Sequence, residues 1–527
     1  MKKNSFLEGA FIATLAIFIT KLIGIIYVIP FHQIVGTKGG ALYGYAYNIY
    51  NLFLIISTAG FPLAISKLTS EYIALDKKDE KNYLFHISTI IIGLFSLGSF
   101  LVCFLFSKQI ATLIIGNMTG GNTIEDVSFV IKCVSFAILI VPMLSISRGY
   151  LQGHKYMKPP AISQIIEQII RVIIVLLGSY LTLKVLNLSL RTAIGISVFA
   201  ASIGALSSYI YLITKLTKIK PDSSNNLTKN KKKIIIKKLI YYAIPFIIIN
   251  IANSIYNSVD MILVIRGLNF LNYEANDIEN ISSIFTTWGT KINTIITSFA
   301  TGIALSLIPN ISSERAKKNQ KEVNNKFNKT LELFFLIILP LSLFMSIFGS
   351  SIWQIFYGKN SYGEIIVKYS VIVAAIDSLY IMISNALQGL NKTKLIYLSV
   401  ILGLLINAML DIPLMLLFNK LGIYPYYGAI TATLIGYLIS IIIPLIYLKE
   451  KENFNYNNVL NSLPRLFISY AILIIICLIY ETLIHNVTNR LLLILLIAII
   501  GLVCLLLYYL LNKNVILTII KKDKKEK

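Results

Sequence analysis

Residues 11–31 read FIATLAIFITKLIGIIYVIPF. At 1.5 Å of rise per residue this apolar run is about as long as a bilayer's hydrocarbon core is thick. It carries one lysine, Lys21, near its middle, where a charge costs roughly 2.5–3.5 kcal/mol on insertion scales. The fold and the function both turn on why such a residue sits there.

The stretch is not isolated. The chain has 527 residues, of which 56% are hydrophobic and 14% charged, and its mean hydropathy is +0.75. Apolar runs of about 20 residues recur along the whole length, as in a polytopic α-helical membrane protein. Fourteen spans are expected, near 8–31, 45–73, 84–107, 127–150, 160–183, 190–216, 238–265, 282–310, 328–350, 365–388, 394–418, 427–448, 464–482 and 490–511. The net charge of +24 sits largely in short loops between spans. It therefore reads as a topology signal and not as a nucleic-acid surface. Cys103, Cys133, Cys477 and Cys504 all fall inside apolar runs without CxxC spacing, the usual setting of free core thiols. No small-residue cleavage site follows Lys2 and Lys3, so the first span is expected to stay as a helix.

The loops alternate in charge. One set carries Lys77, Lys78 and Lys81, then His154, Lys155 and Lys158, then KNKKKIIIKK at 229–238, Arg315 to Lys321, Lys392 and Lys394, Lys449 and Lys451, and the tail KKDKKEK. The other set includes NTIEDVS at 122–128 and NYEANDIEN at 272–280. The basic set and both termini are expected in the cytoplasm of a bacterial plasma membrane.

The sequence also echoes itself. GYLQG at 149–153 returns as NALQG at 385–389, SKQIATLIIG at 107–116 as SSIWQIFYG at 350–358, and KLTSEY at 67–72 as NISSER at 310–315, all at offsets of about 240. Residues 1–216 and 238–448 thus read as two six-helix lobes of like orientation, related by a pseudo-two-fold axis along the membrane normal. A basic linker at 217–237 joins them, with a basic interfacial helix in its last third, and residues 449–527 add two spans and a basic tail. Two such lobes suit an alternating-access transporter better than a channel or a structural membrane protein.

The charges inside the spans suggest the cargo. Lys21 and Lys291 lie ten residues from the outer ends of spans 1 and 8, each at about 15 Å depth. Neither has an acidic residue within a turn on its own helix. A hydrated, anion-binding cavity explains them best. Arg171 reaches similar depth, with Glu167 one turn before it, a spacing that also suits a purely intrahelical pair. Opposite chemistry appears in span 7, NIANSIYNSVD, with Asn250, Asn253, Asn257 and Asp260. It recurs in span 11, NAMLD, with Asn407 and Asp411, and at the start of span 12, GAITAT, with Thr431 and Thr433. These hard oxygen donors fit Na⁺ or proton-coupled carboxylates, although amide and hydroxyl stripes also glue helices together. No GxxxxGK[ST] occurs and no catalytic triad or hydrolase spacing appears among the four histidines, so no enzyme is expected.

TKLIGIIYVIPF at 20–31, RGYLQGHKYMKPPAISQIIEQIIRV at 148–172 and ALSLIPNISSE at 304–314, with a 6+6+2 span pattern, resemble the multidrug/oligosaccharidyl-lipid/polysaccharide (MOP) exporter superfamily. Within it they resemble the lipid II flippase (MurJ) and stage V sporulation protein B-like group of Gram-positive type, over essentially the whole chain. The resemblance implies a flippase carrying an undecaprenyl-diphosphate-linked saccharide, foremost lipid II, from inner to outer leaflet. It implies that Lys21 and Lys291 contact the diphosphate, and it places a sodium site at Asp260, Asn407, Asp411 and Thr433, with Ala429 as a backbone contact. Arg171, Glu167 and Arg148 complete the expected substrate-binding set. Where Gram-negative members carry further arginines, this chain has Tyr27 and, near the span-2 pair, Phe53 and Leu54; Arg148 or Lys67 could compensate. No cofactor is expected beyond coupling to Na⁺ or to the membrane potential. The expected partners are the glycan carrier lipid, the bilayer and cell-wall synthesis proteins, with no nucleic acid. Rival readings are an exporter of teichoic or capsular repeat units, a cation-coupled multidrug exporter, and a non-transporting scaffold for cell-wall enzymes. The midplane lysines argue against the last two.

Overall fold

The computed structural model describes residues 6–58, 60–118, 120–219, 227–484, 487 and 489–525. Residues 220–226 of the basic linker, the N-terminal lysines, His485 and the last two residues of the tail lie outside the described residues, as do the side chains of Asn250, Asn253 and 304–310. Every regular element described is helical. In chain order these are α1 (Phe6–Ile26), α2 (Val28–Thr58), α3 (Phe61–Ala74), α4 (Lys78–Leu105), α5 (Ser107–Ile115), α6 (Ile124–Gly153), α7 (Lys158–Tyr180), α8 (Leu190–Leu216), α9 (Lys229–Phe270) and α10 (Ala275–Ser283). There follow α11 (Gly289–Ala316), α12 (Gln320–Leu333), α13 (Leu339–Ile347), α14 (Gly349–Tyr357), α15 (Ser361–Gly389), α16 (Thr393–Lys420), α17 (Tyr426–Lys451), α18 (Asn457–Ile484) and α19 (Arg490–Lys525). Short π-helical turns at Leu181–Val185, Ile284–Trp288 and Phe334–Ile338 extend α7 and join α10 to α11 and α12 to α13.

The protein is an all-helical, multi-pass membrane protein. Among the described residues ten helices are long and apolar enough to span, and an eleventh span arises if the bent pair α1–α2 counts as one. Their outward faces carry bare Leu, Ile and Phe: Leu94 is 66% exposed and Leu491 74%. Only lipid accommodates such a surface. The expected spans at 45–73, 238–265 and 282–310 are the ones outside that count. The first is divided between α2 and α3 beside Gly60, whose φ is 77°. The other two include residues whose side chains lie outside the described residues.

One expectation needs correction. The run 8–31 is not a single straight span: α1 stops at Ile26 and the axis bends by 46° into α2. Pro30 explains the break, because it has no N–H for the Ile26 carbonyl one turn back and its ring crowds that oxygen.

Two compact units divide the chain, Met1–Trp288 and Gly289–Lys527. This division differs from the repeat-based boundary, because α9, α10 and the π turn ending at Trp288 pack with the first unit. The core of that unit gathers Phe61, Ile65 and Leu68 of α3, Leu84 of α4, Tyr150 of α6, and Ile235 and Leu239 of α9. The basic run at 229–238 is the first part of α9, continuous with the helix that follows. It is fastened by Lys238–Glu71 at 2.9 Å and Lys231–Glu80 at 3.6 Å. In the second unit, Phe348, Cys477, Leu493 and Cys504 form a core that ties α18 and α19 to α14.

The echoed motifs fold alike. α6 and α15 both end at the glycine of the echo, followed two residues later by a left-handed residue, Lys155 (φ 64°) or Asn391 (φ 51°). Ser70 donates to the Gly153 carbonyl at 2.8 Å in one unit, and Ser312 to the Gly389 carbonyl at 3.2 Å in the other. The short helices α5 and α14 are both stopped by a glycine with positive φ, Gly116 and Gly358.

Candidate functional site

In the first unit a buried ion network joins α6, α7 and α8. Glu167 accepts from Arg148 Nη2 at 2.9 Å through one oxygen and from Arg171 through the other. Arg148 Nε also donates to Ser163 at 2.8 Å, and its Nη2 reaches Ser208 at 3.4 Å. The three charged side chains are only 13–20% exposed. Two guanidinium groups share one carboxylate, so one positive charge stays uncompensated within the network. Arg171 Nε is buried with no hydrogen-bond partner among the described residues. Around Arg171 stand Tyr43, Tyr47 and Tyr50 of α2. Tyr43 and Tyr47 stack at 4.4 Å, and the Tyr27 hydroxyl lies 3.5 Å from that of Tyr43. Tyr27, at the bend between α1 and α2, thus connects through tyrosines to Arg171.

Lys21 is half-buried on α1. One turn on, a Cβ at Gly24 would lie 3.4 Å from Gln168 Nε2, so α1 runs close along α7, which carries Glu167 and Arg171. Lys67, one of the groups expected to compensate for missing arginines, lies 3.9 Å over the Tyr242 ring. Asp260 is half-buried on α9, also in the first unit.

The other expected residues belong to the second unit. Lys291 is half-buried in the first turn of α11. Asn407 and Asp411 are fully buried one turn apart on α16. The opposing helix α17 approaches without side chains between, since a Cβ at Gly428 would collide with the backbone of Leu414 and Met415. Thr433 of α17 donates to the Ala429 carbonyl at 3.0 Å, which leaves its lone pairs to accept or coordinate. The buried donor chemistry on α16, one carboxylate and one amide oxygen, fits a hard monovalent cation.

An apolar groove of about 560 Å³ opens in the same unit between α13, α18 and α19, lined by Phe299, Leu336, Phe344, Leu473, Cys504 and Tyr508 among others. The Cys477 and Cys504 sulfurs lie 3.6 Å apart there, both as free thiols.

Two acids escaped the sequence reading. Asp377 of α15 hydrogen-bonds with Tyr437 of α17; a lone aspartate in the apolar run VIVAAIDSLY was the available signal. Glu279, in the acidic segment NYEANDIEN, is 1% exposed. Nothing in that polar stretch distinguishes it from the acids around it.

Comparison with known proteins places this geometry. Residues 6–269 match the family described as polysaccharide biosynthesis protein, and residues 286–412 match MatE. The chain is 32% identical over 466 residues to the lipid II flippase MurJ of Bacillus subtilis (strain 168), covering 86% of this chain and 84% of that relative. It is 22% identical over 416 residues to stage V sporulation protein B of the same organism, covering 77% of each. Among solved structures, lipid II flippase MurJ in an inward closed conformation matches with a TM-score of 0.68 at 18% identity, over 96% of this chain and 100% of that one. An inward-facing multidrug resistance MATE family transporter of the MOP superfamily matches with a TM-score of 0.64 at 13% identity, over 80% and 94%.

Proposed function

Because the chain belongs to the polysaccharide biosynthesis protein family of the MOP exporter superfamily, we propose that it is a flippase for an undecaprenyl-diphosphate-linked saccharide, lipid II first among them. In this reading fourteen spans form two six-helix lobes plus two helices in a bacterial plasma membrane, with both termini in the cytoplasm.

The observation that carries the proposal is the uncompensated positive charge of the Arg148–Glu167–Arg171 network beside α1. A lipid-linked diphosphate has a polar head that cannot cross hydrocarbon bare. A cation held within the membrane at low dielectric attracts that head far more strongly than one in bulk water. Lys21 and Lys291 would bind the diphosphate directly. Arg171, presented through Tyr43, Tyr47 and Tyr27, would supply charge on the side where the Gram-negative relatives carry a second span-1 arginine. Lysine in place of arginine keeps the charge and gives up the planar fork. The tail would run in the apolar groove between α13, α18 and α19 while the head crosses. Na⁺ held by Asn407, Asp411, Thr433 and Asp260, or the membrane potential, would bias the return to the inward-open state.

The test is rescue of a strain depleted of its lipid II flippase. Lys21→Ala and Lys291→Ala should each abolish rescue while membrane protein levels stay normal, and Lys21→Arg should restore it. Full growth with both alanine variants would remove the anion cavity. Failure of the unaltered protein to rescue would redirect the cargo to teichoic or capsular repeat units on the same carrier.

A further inference from the structure

Three connections of the first unit on the acidic, outward side meet at one buried carboxylate. Glu279 of α10 is 1% exposed. Its Oε1 accepts from the backbone N–H of Asn122, in the segment leading into α6. Its Oε2 is buried with no hydrogen-bond partner among the described residues. Asn122 is itself 3% exposed, and its side-chain amide donates to the carbonyl of Lys38 on α2 at 3.1 Å. The Lys38 ammonium returns to the Gly121 carbonyl at 3.1 Å. The carboxyl packs directly on the backbone at Gly121, where a Cβ would stand 2.5 Å from Glu279 Oε1. Two turns further along, Thr287 donates to the Gly40 carbonyl at 2.8 Å, and Trp288 is fully buried against the His32 ring at 4.9 Å.

By the sequence repeat, α9 and α10 open the second lobe, yet their outer ends are fastened here to elements of the first. Arg266 of α9 adds to this by donating to the Leu113 carbonyl of α5 at 3.1 Å. In a two-lobed transporter, a second-lobe element tied to the first lobe on the outside holds the outer side shut, and opening must undo these bonds.

We propose that Glu279 is a proton-binding site that latches the outer side of the transporter: protonated, it keeps α10 closed on Asn122 and Lys38; ionised, it releases them. The inference rests on the alternating-access reading for its consequence, whereas the latch itself is local. A neutral carboxyl tolerates this burial, and a carboxylate with one orphaned oxygen does not. Other charged groups face the site. Lys38 from α2 favours the ion, and Asp126 at the start of α6 disfavours it. Tyr45 of α2 lies close enough to feel Glu279, Arg266 of α9 is committed to carbonyls of α5, and Asp277 and Glu274 stand on α10 and at its cap. The π turn contributes no titratable group. Burial dominates, and the Asn122 N–H and Lys38 offset it only in part, so the carboxyl is raised from near 4.5 to about 7. The sign follows. A raised carboxyl favours the latched state fully below about 4.5, and that preference is lost as pH rises through about 7.

Hydrogen–deuterium exchange of the protein in phospholipid nanodiscs tests this, read over 116–128 and corrected for intrinsic rates. Exchange should be about tenfold faster at pH 8 than at pH 6, the ratio expected as the latched carboxyl ionises across that window. Glu279→Gln should abolish the difference. Equal rates in the unaltered protein, or a transition persisting in Glu279→Gln and so belonging to His32 or Asp126, would overturn the latch. Should Glu279→Gln fail to fold, Lys38→Gln removes the cation that favours ionisation and should move the midpoint upward; an unmoved midpoint refutes the proposal. No cargo is needed, so this result stands apart from the rescue test.

Discussion

Glu167 holds two guanidinium groups at once, and its removal should be felt in the fold more than in any single contact. Its side chain is 13% exposed, like that of Arg148 at 14%. Breaking a buried pair from one side leaves the other charge without compensation, which costs about 3–5 kcal/mol. Glu167→Gln should therefore lower the thermal midpoint of the purified protein by several degrees, whereas Lys21→Ala should leave it near the parent value. Equal midpoints for Glu167→Gln and the parent would show that the arginines find anions elsewhere. The sequence placed Glu167 and Arg171 together through their i,i+4 spacing. It did not reveal that Arg148, nineteen residues earlier, shares the same carboxylate, because only the packing of α6 against α7 brings it there. Glu279 was illegible for a similar reason. An acid in a polar loop looks solvated until the loop that buries it is known.

At the scale of elements, the α16–α17 pair and the α1–α2 bend matter most. Gly428 lets α17 press on the backbone of α16 beside buried Asn407 and Asp411. Such close approach excludes bulk water and fixes the carboxylate, as a cation site requires. Asp411→Ala should therefore abolish the sodium dependence of flipping in proteoliposomes while the protein still folds, since an alanine leaves no stranded charge. An unchanged sodium response would remove this site. Both helices were legible as apolar runs, and the facing polar residues as i,i+4 pairs. The bend at Tyr27 was not, although Pro30 stood in the sequence. A proline inside an apolar run can kink a helix, end it or be tolerated, and the neighbouring helices decide which.

For the whole molecule, the appended helices α18 and α19 matter because they wall an apolar groove of about 560 Å³. If a polyprenyl tail runs there, Leu473→Trp should fill part of the groove. Flipping of a long-tailed substrate should then slow by about tenfold, the effect of losing roughly 1.4 kcal/mol of tail binding, while a short-tailed analogue should be spared. Equal slowing of both would assign the loss to the fold. By itself the sequence determined the membrane class and the all-helical character of the chain. Apolar length and charge alternation along the chain are one-dimensional signals, and the bilayer reads them directly. The echoed GYLQG and NALQG segments even fold to the same helix end, because a local backbone turn depends on local residues. Tertiary structure alone decided that α9 and α10 pack with the first unit, that Arg148 and Arg171 share one carboxylate, and that Glu279 is buried under Asn122. Each of these is a meeting of residues far apart in the chain, and burial in such a meeting changes the environment of an ordinary charge.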